Sequence, residues 1–213
     1  AGCEGDDGSV GPAGATGAAG PAGPAGVPLV VTRTDVVTTN ANIAYASYSD
    51  SWVLAIELQG KIDDLVAAPS QETFDAAKDA WLAVNEPYGQ TEVYRFRVGP
   101  IDALLSDGSL GVEGDGPEGA INAWPLGEAL VDYVATAVDG DEGSDSGNPP
   151  TGVTGNIISD TTFTLSKANI RDNNELDDDE RNLTTGFHVI EFLLWGQDLN
   201  ADLSGTGTRD ATG

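Results

Sequence analysis

The chain has 213 residues, of which 35 are acidic and 9 basic, for a net charge of −26 at pH 7. So negative a chain repels nucleic acid and anionic membrane surfaces, which removes both as electrostatic partners. A single cysteine, Cys3, excludes an intrachain disulfide, and no apolar stretch reaches the roughly 20 residues needed to span a bilayer.

Residues 1–4 carry Ala1-Gly2-Cys3, which resembles the end of a bacterial lipoprotein signal, where cleavage leaves the cysteine to carry lipid. The alternative is a free cysteine near a terminus. Across residues 5–28 glycine recurs at every third position from Gly5 to Gly26, punctuated by Pro12, Pro21, Pro24 and Pro28. This is the collagen pattern. So few triplets with so few prolines read better as a Gly/Ala/Pro spacer holding a folded domain off a membrane. Residues 29–39 are β-branched and read as an extended lead-in.

A helical period starts near Asn40 or Asn42, with Ile43, Ala46, Trp52 or Val53, Ile56, Ile62 and Leu65, and stops before Pro69. Ser70 reads as the N-cap of a second helix carrying Phe74, Ala77, Trp81 and Val84, which Pro87 ends or kinks. Tyr88 to Phe96 continues as a kinked helix until Gly99-Pro100 breaks it. Ser106 to Gly119 is a loop. Pro125 suits the first turn of a helix with Leu126, Ala129, Leu130, Tyr133 and Val134 on one side. Asp139 to Gly155 is an acidic loop, followed by a helix from about Asp160 to Ile170. The last helix runs from about Arg181 to Trp195, with Gly196 as its stop. Residues 201–213 show no core-forming pattern and read as a loop where a longer fold is cut. The expected fold class is all-α, a helical bundle over residues 40–200 with strand content near zero.

The most apolar stretch, Gly186 to Gly196, holds the one histidine of the chain. His188 and Glu191 share a helix face. Their neighbours are apolar around most of the circumference, so the helix is expected to be buried and the pair to need partners. Two readings stay open: a hydrogen-bonded structural pair, or part of a metal site completed by carboxylates from facing helices. One imidazole among oxygens suits iron or another borderline divalent ion as well as zinc. Asp198 to Asp202 begins like a calcium loop, but Leu203 and Arg209 stand where that loop needs glycine and glutamate. No Ser/His/Asp triad, P-loop or two-histidine zinc helix is present.

Several stretches together resemble the imelysin-like family, the M75 peptidases, and most closely its iron-regulated lipoprotein branch. They are Ala41 to Ser51, Ala80-Trp81, Glu86 to Phe96, Gly99 to Asp102, Ile121 to Leu126, Asp132 to Val134, Gly155 to Ile158 and Gly186 to Leu199, spanning about residues 40–200. The resemblance implies two related helical bundles, of which this chain would hold the first, exported to the cell envelope. It also implies a Gly-x-His-x-x-Glu motif thought to bind metal, which falls on Gly186, His188 and Glu191. The family usually has an acid before the glutamate that follows Trp-Pro-Leu; here Gly127 precedes Glu128. Glu92 and Glu128 are candidate extra ligands. Arg95 and Asp102 are expected to form a buried ion pair holding the kinked helix, and Trp124, Asp132 and Tyr133 to pack and cap the bundle.

The function these expectations favour is an envelope-facing lipoprotein, anchored through Cys3, that binds a divalent metal (iron or zinc) or an iron-carrying ligand in iron acquisition, alongside other envelope proteins. The alternatives are a metallopeptidase, and a structural surface lipoprotein in which His188 and Glu191 form only a hydrogen bond.

Overall fold

The computed structural model describes residues 30–96, 98–112, 114, 116–134, 156–176, 179–200 and 207–212. Cys3, the glycine-repeat spacer at 5–28 and the acidic loop at 139–155 lie outside the described residues. Those described form helices and turns, with no strand among them. The all-α expectation therefore holds.

Helix α1 spans Arg33–Ala67, so the lead-in expected over 29–39 is helical from Arg33 onward. A capping box overrides the weak β preference of Val36, Val37, Thr38 and Thr39. The Thr32 hydroxyl accepts from the Asp35 amide at 3.2 Å, and the Asp35 carboxylate accepts from the Thr32 amide at 2.8 Å. Two otherwise orphaned donors are satisfied at once. Packing on α1 starts only near Ser47. Ile43, expected in the core, is exposed, as are Trp52 and Val53.

Helix α2, Gln71–Gly89, starts where the sequence indicates. The Ser70 hydroxyl accepts from the Thr73 amide at 3.2 Å, and Thr73 returns the contact to the Ser70 amide at 3.1 Å. Pro87 lies inside α2 without ending it, and the chain then tightens into a 3-10 turn, Gln90–Tyr94. Single-turn helices follow at Pro100–Ala103 (α3), Glu118–Ile121 (α4) and Glu128–Val131 (α5), then α6 at Lys167–Asp172.

The helix expected after Pro125 is thus one turn. Gly127 donates to the Arg181 carbonyl at 2.6 Å, and Ile157 donates to the Leu130 carbonyl at 2.7 Å. These tertiary bonds claim backbone groups that a longer helix would need. The helix expected over 160–170 begins late for a related reason. The Asp160 carboxylate takes the Thr162 amide at 2.8 Å and its hydroxyl at 2.6 Å, closing a turn, and Ser166 then caps α6 by accepting from Asn169. Side chains of this kind compete with helix for the local backbone.

Helix α7 is Phe187–Trp195, shorter than expected because Thr184 and Thr185 are pinned outside it by Asn174. Its stop is Gly196, at φ 74°. One side of α7, with Phe187 and Leu194, joins Leu58, Phe74, Trp81, Val84 and Tyr88 of the α1–α2 hairpin. Another, with Val189 and Phe192, joins Leu126, Val131 and Leu183. The Trp81 indole N–H donates to the Phe187 carbonyl at 2.9 Å, tying the hairpin to the first turn of α7.

Residues 207–212, part of the stretch expected to lack a core-forming pattern, are tied to the rest of the fold. The Arg209 amide donates to the Trp195 carbonyl at 2.9 Å, and its guanidinium reaches Asp132 at 2.9 Å and the Leu193 carbonyl at 3.1 Å. Asp132, expected as a cap, is instead this ion-pair partner.

Leu183 is fully buried in the second cluster. Leu183→Ala is expected to cost about 2–5 kcal/mol. Urea unfolding should show a lower midpoint with an unchanged slope.

Candidate functional site

The motif glycine is required by geometry. Gly186 has φ 101°, and a Cβ there would sit 2.8 Å from the Ile121 carbonyl oxygen. The chain turns into α7 against the end of α4, in a conformation that side chains disfavour.

Two residues on, His188 Nδ1 lies 3.1 Å from Glu191 Oε2. The side chains are 26% and 43% exposed, so the pair is not sunk in the apolar core. The apolar flanks of α7 are used up by the two clusters, and the polar pair takes the side that is left. The Trp124 ring stands against the His188 ring, centroids 4.8 Å apart. Trp124 is 63% exposed and Tyr133 is also exposed, so neither is the packing residue expected.

His188 lines a cavity of about 680 Å³. Five carboxylates line it as well: Glu92 from the 3-10 turn, Asp102 from α3, Glu118 from α4, and Glu175 and Glu180 from the segment between α6 and α7. Among the described residues, one guanidinium stands against them, Arg95. Glu92 is the one expected extra ligand that reaches this lining; Glu128, at the start of α5, does not, and neither does Glu191. Among the described residues, no three His, Cys, Asp or Glu side chains gather closely enough to hold a metal ion. His188 and Glu191 remain a two-donor pair.

Arg95 sits as the sequence suggested, and more deeply engaged. Its Nε donates to Asp102 Oδ1 at 3.0 Å, its Nη1 donates to Glu118, and its guanidinium lies over the Phe96 ring at 5.1 Å. Asp102 is 4% exposed, yet its second oxygen has no hydrogen-bond partner. The hydroxyls of Tyr48 and Tyr88 are likewise buried and unpartnered. Burial pushes the Tyr88 phenol well above its usual value, with the negative charge of Glu118 adding to it. Burial also raises Glu118 above the ordinary glutamate range, against the opposing pull of Arg95.

Sequence reasoning missed Glu118, Glu175 and Glu180. Glu118 comes from a stretch rich in Gly and Asp, and Glu175 and Glu180 from one rich in Asp and Asn, and no spacing marks them as converging. Phe96 was taken as helical; it has φ 60° and an exposed ring.

Two substitutions test this account. Gly186→Ala should destabilise by about 1–3 kcal/mol through backbone strain, read as a drop in Tm. Arg95→Met leaves Asp102 and Glu118 buried without their cation and should cost about 3–5 kcal/mol at neutral pH. That loss should shrink on acidification, because protonated carboxyls no longer need the guanidinium.

The imelysin family, peptidase M75, matches residues 44–212, which take in most of the α1–α2 hairpin, the cavity and all of α7. No curated protein matches the chain. With hairpin, cavity and His188 all inside the matched span, the chain belongs to the imelysin family.

Proposed function

We propose that the protein is a binding protein of the bacterial cell envelope, lipid-anchored through Cys3, that serves iron acquisition and takes iron as its cargo. The observation that carries this reading is the cavity beside His188, where, among the described residues, five carboxylates face one guanidinium. Such a lining concentrates cations and repels anions. The imidazole at its wall adds a softer donor, which favours iron over calcium or magnesium. Membership of the imelysin family, associated with metal binding in general, points the same way. The glycine-repeat spacer after Cys3 suits a domain held away from the membrane surface.

Among the described residues no three donors converge, which leaves most of an ion's coordination to water or to a carrier. That suits capture and release. A resident hydrolytic ion is normally held by three protein ligands with one position open for water.

Titration calorimetry and elemental analysis with ferrous iron and zinc, on the full chain and on His188→Ala, test the reading. One equivalent of iron per chain is expected, bound at least tenfold more weakly by His188→Ala. Affinity should fall as pH drops into the carboxylate range, because protons compete with the cation. Glu118, raised by burial, should lose its charge early. Absence of metal binding in both proteins would overturn the proposal. Chelator-sensitive cleavage of a protein substrate, lost in His188→Ala, would replace it with a metallopeptidase.

A further inference from the structure

We infer that the cavity beside His188 is also a receptor for an organic cation, a molecule presenting a guanidinium or a primary ammonium group. This rests on the cavity being a ligand site, and not on its cargo being iron.

The chain already solves this recognition problem once, at the same wall. Arg95 is a guanidinium seated between two carboxylates, Asp102 and Glu118, with the face of the Phe96 ring 5.1 Å from its centre. Charge-assisted hydrogen bonds and an aromatic face are the two interactions that hold such groups.

Enough of that chemistry is left unspent to hold a second cation. The carboxylates of Glu92, Glu175 and Glu180 line the cavity and make no ion pair among the described residues. Asp102, more than nine-tenths buried, is another lining residue, and one of its carboxylate oxygens is buried with no partner among the described residues. A buried, unpartnered carboxylate oxygen is costly unless something donates to it. The aromatic component is present too, since Trp124 lines the cavity with an exposed ring.

Size and donor arrangement separate an organic cation from a bare ion. About 680 Å³ lies within the range of small-molecule sites and far exceeds one ion. No three donors gather at a point among the described residues, whereas spread carboxylates match the spread N–H groups of an amine or a guanidinium.

The test is equilibrium titration of the full chain at roughly 0.15 M salt, where diffuse surface attraction is screened within about 8 Å. The probes are agmatine, spermidine and ferrous iron, on the unmodified chain, Trp124→Leu and Glu180→Gln. Both changed side chains are exposed, so folding should survive, and circular dichroism checks it. One agmatine or spermidine per chain is expected, bound roughly fivefold more weakly by each variant, which corresponds to about 1 kcal/mol. Preference for agmatine assigns a guanidinium, and preference for spermidine an amine. If iron binds and neither organic cation does, the cavity keeps its proposed cargo and this inference falls. If nothing binds, both fall. Binding of many equivalents, indifferent to Trp124→Leu, is counterion condensation on a highly acidic chain and overturns the inference as well.

Discussion

Helix α7 is apolar on nearly every side, and an apolar surface that is not covered destabilises the fold by about 1.5–3 kcal/mol for each large side chain left in water. One neighbouring element cannot cover it. The chain covers it with two: the α1–α2 hairpin on the Phe187 and Leu194 side, and the 126–131 segment with Leu183 on the Val189 and Phe192 side. Residues 207–212 then close over its end, where Arg209 binds the Trp195 and Leu193 carbonyls and Asp132. What remains uncovered is the edge carrying His188 and Glu191. The site is where it is because every other side of the helix is taken.

The cavity works against stability. Among the described residues it gathers five carboxylates around one guanidinium, in a chain that is already strongly negative. Arg95 offsets part of the repulsion and is itself largely buried for that purpose. Among the described residues, Asp102 is the cavity-lining side chain that has a buried oxygen without a partner, so satisfaction of polar groups is incomplete there. Tolerating such groups is a cost that folds accept at places kept for a ligand.

The long elements were legible because their signals are local. Ser70 and Thr73 cap α2 as their spacing indicates, Pro69 follows the end of α1, and Gly196 stops α7 with a positive φ. The start of α1 is set by the Thr32 and Asp35 capping box, whose signal the β-branched run from Val36 to Thr39 contradicts. The middle of the chain was not legible. There, single turns are held by backbone bonds to distant residues, such as Gly127 to Arg181 and Ile157 to Leu130, and helical periodicity does not report these. The Arg95–Asp102 pair was readable from its stretch of sequence. The convergence of Glu118, Glu175 and Glu180 was not, since it exists only once α3, α4 and the segment before α7 are folded together.

The three named positions of the Gly-x-His-x-x-Glu motif do unequal work. Gly186 supplies no chemistry; it lets the backbone pass within contact of the Ile121 carbonyl at the end of α4. That close approach sets α4, and Glu118 with it, beside the first turn of α7. His188, two residues later, then lines the same cavity as Glu118. Glu191 engages the imidazole at Nδ1 and so fixes its orientation, which leaves Nε2 as the nitrogen a ligand would use. Read as spacing alone, the motif is a pair of donors and a glycine. In the fold, the glycine is what brings the donors to the carboxylates.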